Sequence, residues 1–87
     1  MTHEIKLDIS FCDAVLCDEK TFEVRKNDRN YQIGDLVRFI PVGILFHPVE
    51  HPIKDKTYKI TYVLSGWGIE EGFCVFAIKE ATNNDII

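Results

Sequence analysis

The sequence predicts a single α+β domain: a small curled or barrel-like sheet of about five strands, with one short helix between the first two. Three observations carry that expectation. Apolar residues alternate with polar ones in separate short stretches, the period-2 signature of half-buried strands. One stretch near the start, "SFCDAVLC", breaks the alternation and opens like a capped helix. The chain has 87 residues, a size at which only about 60% of the unfolded surface is buried, so closing the sheet on itself is the economical way to remove exposed edges.

Taken in order, "HEIKLDI" sets Ile5, Leu7 and Ile9 against Glu4, Lys6 and Asp8 and reads as the first strand. Ser10, three residues before Asp13, is the expected start of the helix, with Phe11, Ala14 and Val15 on its inner face. "KTFEVRK" alternates again, with Phe22 and Val24 expected inward and Thr21, Glu23 and Arg25 on the opposite face. "NDRN" is turn chemistry, and Gly34 supplies the backbone freedom for a tight turn into the strand "LVRFIPV". Residues 42–56, rich in Pro, His and Gly, read as a loop. In "TYKITYVLS", Tyr58, Ile60, Tyr62 and Leu64 alternate with Thr57, Lys59, Thr61 and Val63. "GWG" turns the chain into the last strand, "FCVFAIKE". The domain core is expected over about residues 3–80, with 81–87 as a loose C-terminal tail. Phe22, Val24, Leu36, Val37 or Phe39, Ile60, Tyr62, Val75 and Ala77 are the expected core side chains.

The composition, 46% hydrophobic and 28% charged, is that of an ordinary globular domain. The longest uncharged apolar run, "FIPVGILFHPV", falls well short of the roughly 20 residues that cross a bilayer and is interrupted by prolines and a glycine. The first residues show no basic region followed by an apolar one, so a cytoplasmic protein is expected. Cys12, Cys17 and Cys74 are odd in number and lack C-x-x-C spacing, which reads as reduced core residues. "HPVEH", residues 47–51, matches the H-x-x-E-H string of inverted zinc peptidases, but Pro48 and Pro52 break the helix that such a site needs. A turn-forming loop without metal is expected there, and His3 reads as an ordinary strand residue. No G-x-S-x-G elbow, phosphate-binding P-loop or G-x-G-x-x-G run is present, and no cofactor is expected.

The most distinctive run is "KTFEVRKNDRNYQIGDLVRF", residues 20–39. It concentrates Lys20, Arg25, Lys26, Arg29 and Arg38 in a chain of net charge −4. As a strand it places Glu23 and Arg25 two residues apart on one face, able to converge with Lys20 beside the preceding helix. Arginine offers a planar fork to phosphates or carbonyls, lysine a point charge, and glutamate an acceptor for amino groups on a base edge. The same charges also fit a solvated ladder of ion pairs. Trp67 fits two roles, a platform for stacking a base or a cap on the open end of the sheet.

The elements K-T-F-E-V-R, N-D-R and G-D before a strand, preceded by "SFCDAVLC" and followed by "KTYKITYVLS" and "FCVFAIK", closely resemble ASCH-type domains of unknown function, a small bacterial and phage-associated family within the PUA-like superfamily. The resemblance spans roughly residues 3–80. It implies a β-barrel with a helix beside a cleft and a role in binding RNA or modified nucleotides. One branch of the wider group hydrolyses the amide of acetylated cytidine with a lysine, a threonine three positions later and a glutamate from a later segment. Lys20 matches that lysine, Glu23 stands at the threonine position, and no motif matches Glu70 or Glu71 to the later glutamate. The leading expectation is therefore a non-enzymatic module that binds single-stranded RNA or a nucleotide-like small molecule, without membrane or metal, through Lys20, Glu23, Arg25, Arg29 and Trp67. Two alternatives stay open: a hydrolase of an N-acylated nucleoside using Lys20 with Glu23 as general base, and a phage or host protein-interaction domain with a vestigial cleft.

Overall fold

Each strand forms where the alternation placed one, with its bounds set by local capping and turn chemistry. The structure, a computed structural model, describes residues 1–86. Strand β1 (Thr2–Asp8) buries His3, Ile5 and Leu7 and exposes the residues between them. It ends because Asp8 caps the next element: its Oδ1 accepts from the Ser10 amide at 2.9 Å and from the Ser10 hydroxyl at 2.7 Å. Those two bonds hold the Asp8 carboxyl below its ordinary range. Helix α1 (Ile9–Leu16) thus starts one cap earlier than Ser10, and the shift turns its buried face to Cys12 and Val15 while Phe11 faces out. Strands β2 (Phe22–Lys26), β3 (Leu36–Val42), β4 (Tyr58–Leu64) and β5 (Phe73–Glu80) complete the sheet.

The five-stranded sheet runs in the order β1-β3-β4-β5-β2, with β1 parallel to β3 and the other neighbours antiparallel. Consecutive strands β1 and β2 are therefore its two edges. The sheet curls into a half-barrel that brings these edges back toward one another. They meet through side chains: Arg25 Nη2 donates to the Lys6 carbonyl at 2.6 Å and Arg29 Nη1 to the Glu4 carbonyl at 2.7 Å. Two arginines thus satisfy outward carbonyls of β1 that a closed barrel would give to a strand.

One core fills the half-barrel, built from Ile5, Leu7, Cys12, Val15, Tyr31, Val37, Phe39, Ile53, Tyr58, Ile60, Cys74, Phe76 and Ile78. Pairing of β3 with β4 covers only Leu36–Val37 against Tyr58–Lys59, and the strands then part. The gap is stopped by a 3₁₀ turn, Pro52–Asp55, whose Ile53 is fully buried. His51 caps that turn. Its Nδ1 accepts the Ile53 amide at 3.0 Å, which leaves Nε2 as the protonated nitrogen, 2.7 Å from Asp13 of α1. The "HPVEH" string is thus a loop leading into a capped turn, with both His51 nitrogens engaged.

Three parts of the expected core are corrected. On β2 it is Glu23 that is buried, while Phe22 and Val24 are 45% and 57% exposed. On β5 it is Cys74, Phe76 and Ile78 that point inward, with Val75 and Ala77 half-buried on the other face. The two corrections are one: β2 pairs Glu23 with Phe76 and Phe22 with Ala77, and directly opposed residues share a face. On β4 a bulge between Ile60 and Tyr62 reverses the alternation, so Tyr62 is 59% exposed and Val63 packs toward the core. Leu36 is half-buried. Of the cysteines, Cys12 and Cys74 are buried but Cys17, at the helix C-cap, is exposed. Beyond β5, Asp85 accepts from Thr82 and Lys59 around one helical turn, α2 (Asn83–Ile86), so the segment after residue 80 is hydrogen-bonded to the sheet. Ile87, the last residue of the expected tail, lies outside the described residues.

Candidate functional site: a charged seam between the edge strands

The seam where β1 and β2 face each other holds most of the expected site. Glu23, 3% exposed, lies on the inner face of β2, and its carboxylate is shared by two cations. Lys20 Nζ donates to Oε2, while Arg25 donates to Oε1 from Nε at 3.0 Å and from Nη2 at 2.8 Å. Lys20 also donates to the Phe22 carbonyl at 2.8 Å, and its ammonium sits 5.2 Å and 5.0 Å from the ring centres of Phe11 and Phe22. Two cations on one carboxylate leave the cluster net positive, and most of the acceptor capacity of Glu23 is already used.

Two concavities open along the seam. The first, of about 370 Å³, has Lys20, Glu23 and Arg25 beside Lys6 and the apolar side chains of Phe11, Phe22, Val24 and Phe46. Phe46 arrives from the loop after β3, where Leu45 and Phe46 both take left-handed backbone angles (φ 57° and 60°). The second, of about 550 Å³, is lined by Arg25, Lys26, Arg29 and Lys6, with the carboxylates of Glu4 and Asp28 and the buried ring of Tyr31. Lys6 and Arg25 line both.

Of the expected residues, Lys20, Glu23 and Arg25 therefore converge, and Arg29 joins them through the neighbouring concavity. Trp67 does not. It sits between Gly66 and Gly68 in the β4–β5 turn, all three at positive φ (73°, 53° and 87°), and that left-handed run projects the indole into solvent at 92% exposure. Trp67 lines neither concavity. Glu70 and Glu71 are exposed in the same turn.

The aromatic groups of the first concavity are Phe11, Phe22 and Phe46, none of which stood out in the sequence as a site residue. Phe11 was hidden by the earlier start of the helix, Phe22 by the inverted alternation of β2, and Phe46 by an apolar run broken only by Pro and Gly. A second missed group lies in the core. His3 Nε2 donates to Asp35 Oδ2 at 2.7 Å, the N-terminal ammonium lies 3.4 Å from Oδ1, and the His3 ring packs on Tyr31, which packs on Phe76. Burial pushes the Asp35 carboxyl up, but the bonds from His3, the Gln32 amide and the N-terminus outweigh it and hold it below its ordinary value. Burial, helped by the nearby carboxylates of Asp13, Asp8 and Glu23, drives the Cys12 thiol up to about 11, so it is an inert packing group.

These features define a small α+β half-barrel domain with a charged, aromatic-rimmed cleft along an open seam. Residues 2–78 match the family described as Domain of unknown function (DUF3850), and the chain belongs to that family. No curated protein matches the chain.

Proposed function

We propose that this domain is a binding module for single-stranded RNA or a modified nucleotide, with the base held in the concavity beside α1. The observation that supports this most directly is the juxtaposition of the half-buried Lys20 and Arg25, paired on the buried Glu23, with exposed phenylalanine rings in one concavity of about 370 Å³. A volume of this order suits a small ligand. Base stacking on an aromatic face contributes roughly 1–3 kcal/mol with little sequence preference. Lys20 and Arg25 then meet carbonyls or phosphates of the ligand. Glu23 acts mainly by aiming them, because it sits below the surface and already accepts from both. This fits the fold and charge expected of a PUA-like, ASCH-type domain and requires no nucleophile.

Fluorescence titration of short labelled single-stranded RNAs tests the reading. Wild type should bind with modest affinity. Phe22→Ala, at an exposed position, should weaken binding about tenfold, matching a stacking loss of about 1.4 kcal/mol. Lys20→Ala should weaken it by a similar factor. Equal binding by wild type and both variants, with folding intact by circular dichroism, would overturn the proposal.

A further inference from the structure

Arg29 is held by β1 in a way that keeps its charge available, whereas Arg25, also held by β1, is paired with Glu23. Glu4 offers Arg29 a main-chain carbonyl, which accepts an N–H without neutralising the guanidinium. Among the described residues, Lys6, Lys26 and Arg29 form no ion pair within 4.0 Å, although Lys20, Lys54, Lys56 and Lys59 each do. The second concavity therefore gathers four cations, Lys6, Lys26 and Arg29 with Arg25, which Glu23 already pairs, against the lining carboxylates of Glu4 and Asp28. Tyr31 floors it, and burial raises its phenol, which stays a hydrogen-bond donor at neutral pH even with Arg29 and Arg25 pulling the other way. A guanidinium steered by a neutral carbonyl, with donors beside it in a concave wall, suits a phosphate.

We infer that the seam is a two-part site, in which the concavity lined by Lys6, Arg25, Lys26 and Arg29 receives a phosphate of a ligand whose base lies against Phe11 and Phe22. Arg25 and Lys6 line both parts and so join them. This deepens the reading above and rests on it: the ligand is a nucleotide or a strand, rather than a free base or nucleoside. The phosphate half is provided by β1 and the end of β2, the base half by α1, the start of β2 and the loop after β3.

Isothermal titration with the four common ribonucleosides and with their 5′- and 3′-monophosphates separates the halves. At least one monophosphate should bind tenfold or more tighter than its nucleoside. Arg29→Ala should remove that gain while leaving nucleoside affinity unchanged, and Lys26→Ala, at an exposed position, should remove part of it. No gain from the phosphate, or an equal loss of nucleoside and nucleotide affinity in Arg29→Ala, would overturn the inference. If no nucleoside or nucleotide binds, the base-binding reading fails, and inorganic phosphate followed by ³¹P line width decides the rest. Broadening that Arg29→Ala and Lys26→Ala abolish supports the anion subsite on its own; no broadening overturns it.

Discussion

At the scale of single residues, buried polar groups are tolerated here because each has a partner, and their titration sets the acid limit of stability. Asp35 is the clearest case. Its native carboxyl is held below its ordinary value by His3, the Gln32 amide and the N-terminus, against the upward push of burial. A depressed native pKa means that the unfolded chain binds more protons, so the contribution is fully present above the unfolded value near 4 and is lost as pH falls through the native one. Thermal melts from pH 7 down to pH 2.5 should show this loss in wild type. Asp35→Asn should be less stable at pH 7, by about 1–3 kcal/mol, and should show a shallower acid limb. An unchanged limb would mean that other carboxylates carry it. Trp67 makes the opposite case. A bulky residue at φ 53° carries a local cost of about 1–2 kcal/mol. Trp67→Gly should leave the melting temperature unchanged or raise it, and should leave RNA binding unchanged. A tenfold loss of binding would return Trp67 to the site.

At the scale of elements, β2 shows which parts of the fold could be read from the sequence. The strand itself, its length and the grouping of Lys20, Glu23 and Arg25 were legible from alternation and charge. Its facing was not, because the facing is set by its partner. β5 carries apolar side chains on both faces, Cys74, Phe76 and Ile78 on one and Val75 and Ala77 on the other, so period-2 alternation gives no sign of which is inside. Phe22 and Val24 looked like core against Glu23, yet the larger Phe76 takes the interior and Glu23 follows it, stabilised there by two cations. The bulge at Ile60–Tyr62 was invisible for a related reason: the apolar pattern of β4 continues unbroken through the reversal. The turn at Gly34, at φ 94°, was legible because only a residue without Cβ adopts that angle at no cost.

That facing has measurable consequences. Val24→Ser should change stability by less than about 0.5 kcal/mol, as for an exposed position, whereas Phe76→Ala should cost about 3–5 kcal/mol. A large loss on Val24→Ser with tolerance of Phe76→Ala would restore the opposite facing. The thiols give an independent check on α1 and β5. Cys17 is exposed, with its thiol raised chiefly by its hydrogen bond to Glu19, while Cys12 and Cys74 are buried. In native protein at alkaline pH, one thiol should react with a disulfide reagent, and the other two only after denaturation. Two fast-reacting thiols in the native state would contradict this packing.

At the scale of the whole molecule, the fold leaves its sheet open and places the two edges face to face. The gap is bridged by arginines, and bridging by arginine instead of a strand is what gives the edge a positive, concave seam. Because the protein is net −4 overall, long-range attraction to nucleic acid is weak, and the proposed binding would depend on local contacts within about 8 Å at physiological salt. With about three phosphates contacted, the salt slope should be near −2, and a fourfold rise in salt should weaken binding roughly twentyfold. Amide chemical-shift mapping of ¹⁵N-labelled protein against a short single-stranded RNA locates the ligand on the fold. Shifts should concentrate on β1, the start of α1, residues 20–29 and the loop at 43–47, with the turn at 65–72 unchanged. Saturating shifts confined to the 65–72 turn, or none along β1 and β2 while binding is observed, would rule out the seam as the ligand site.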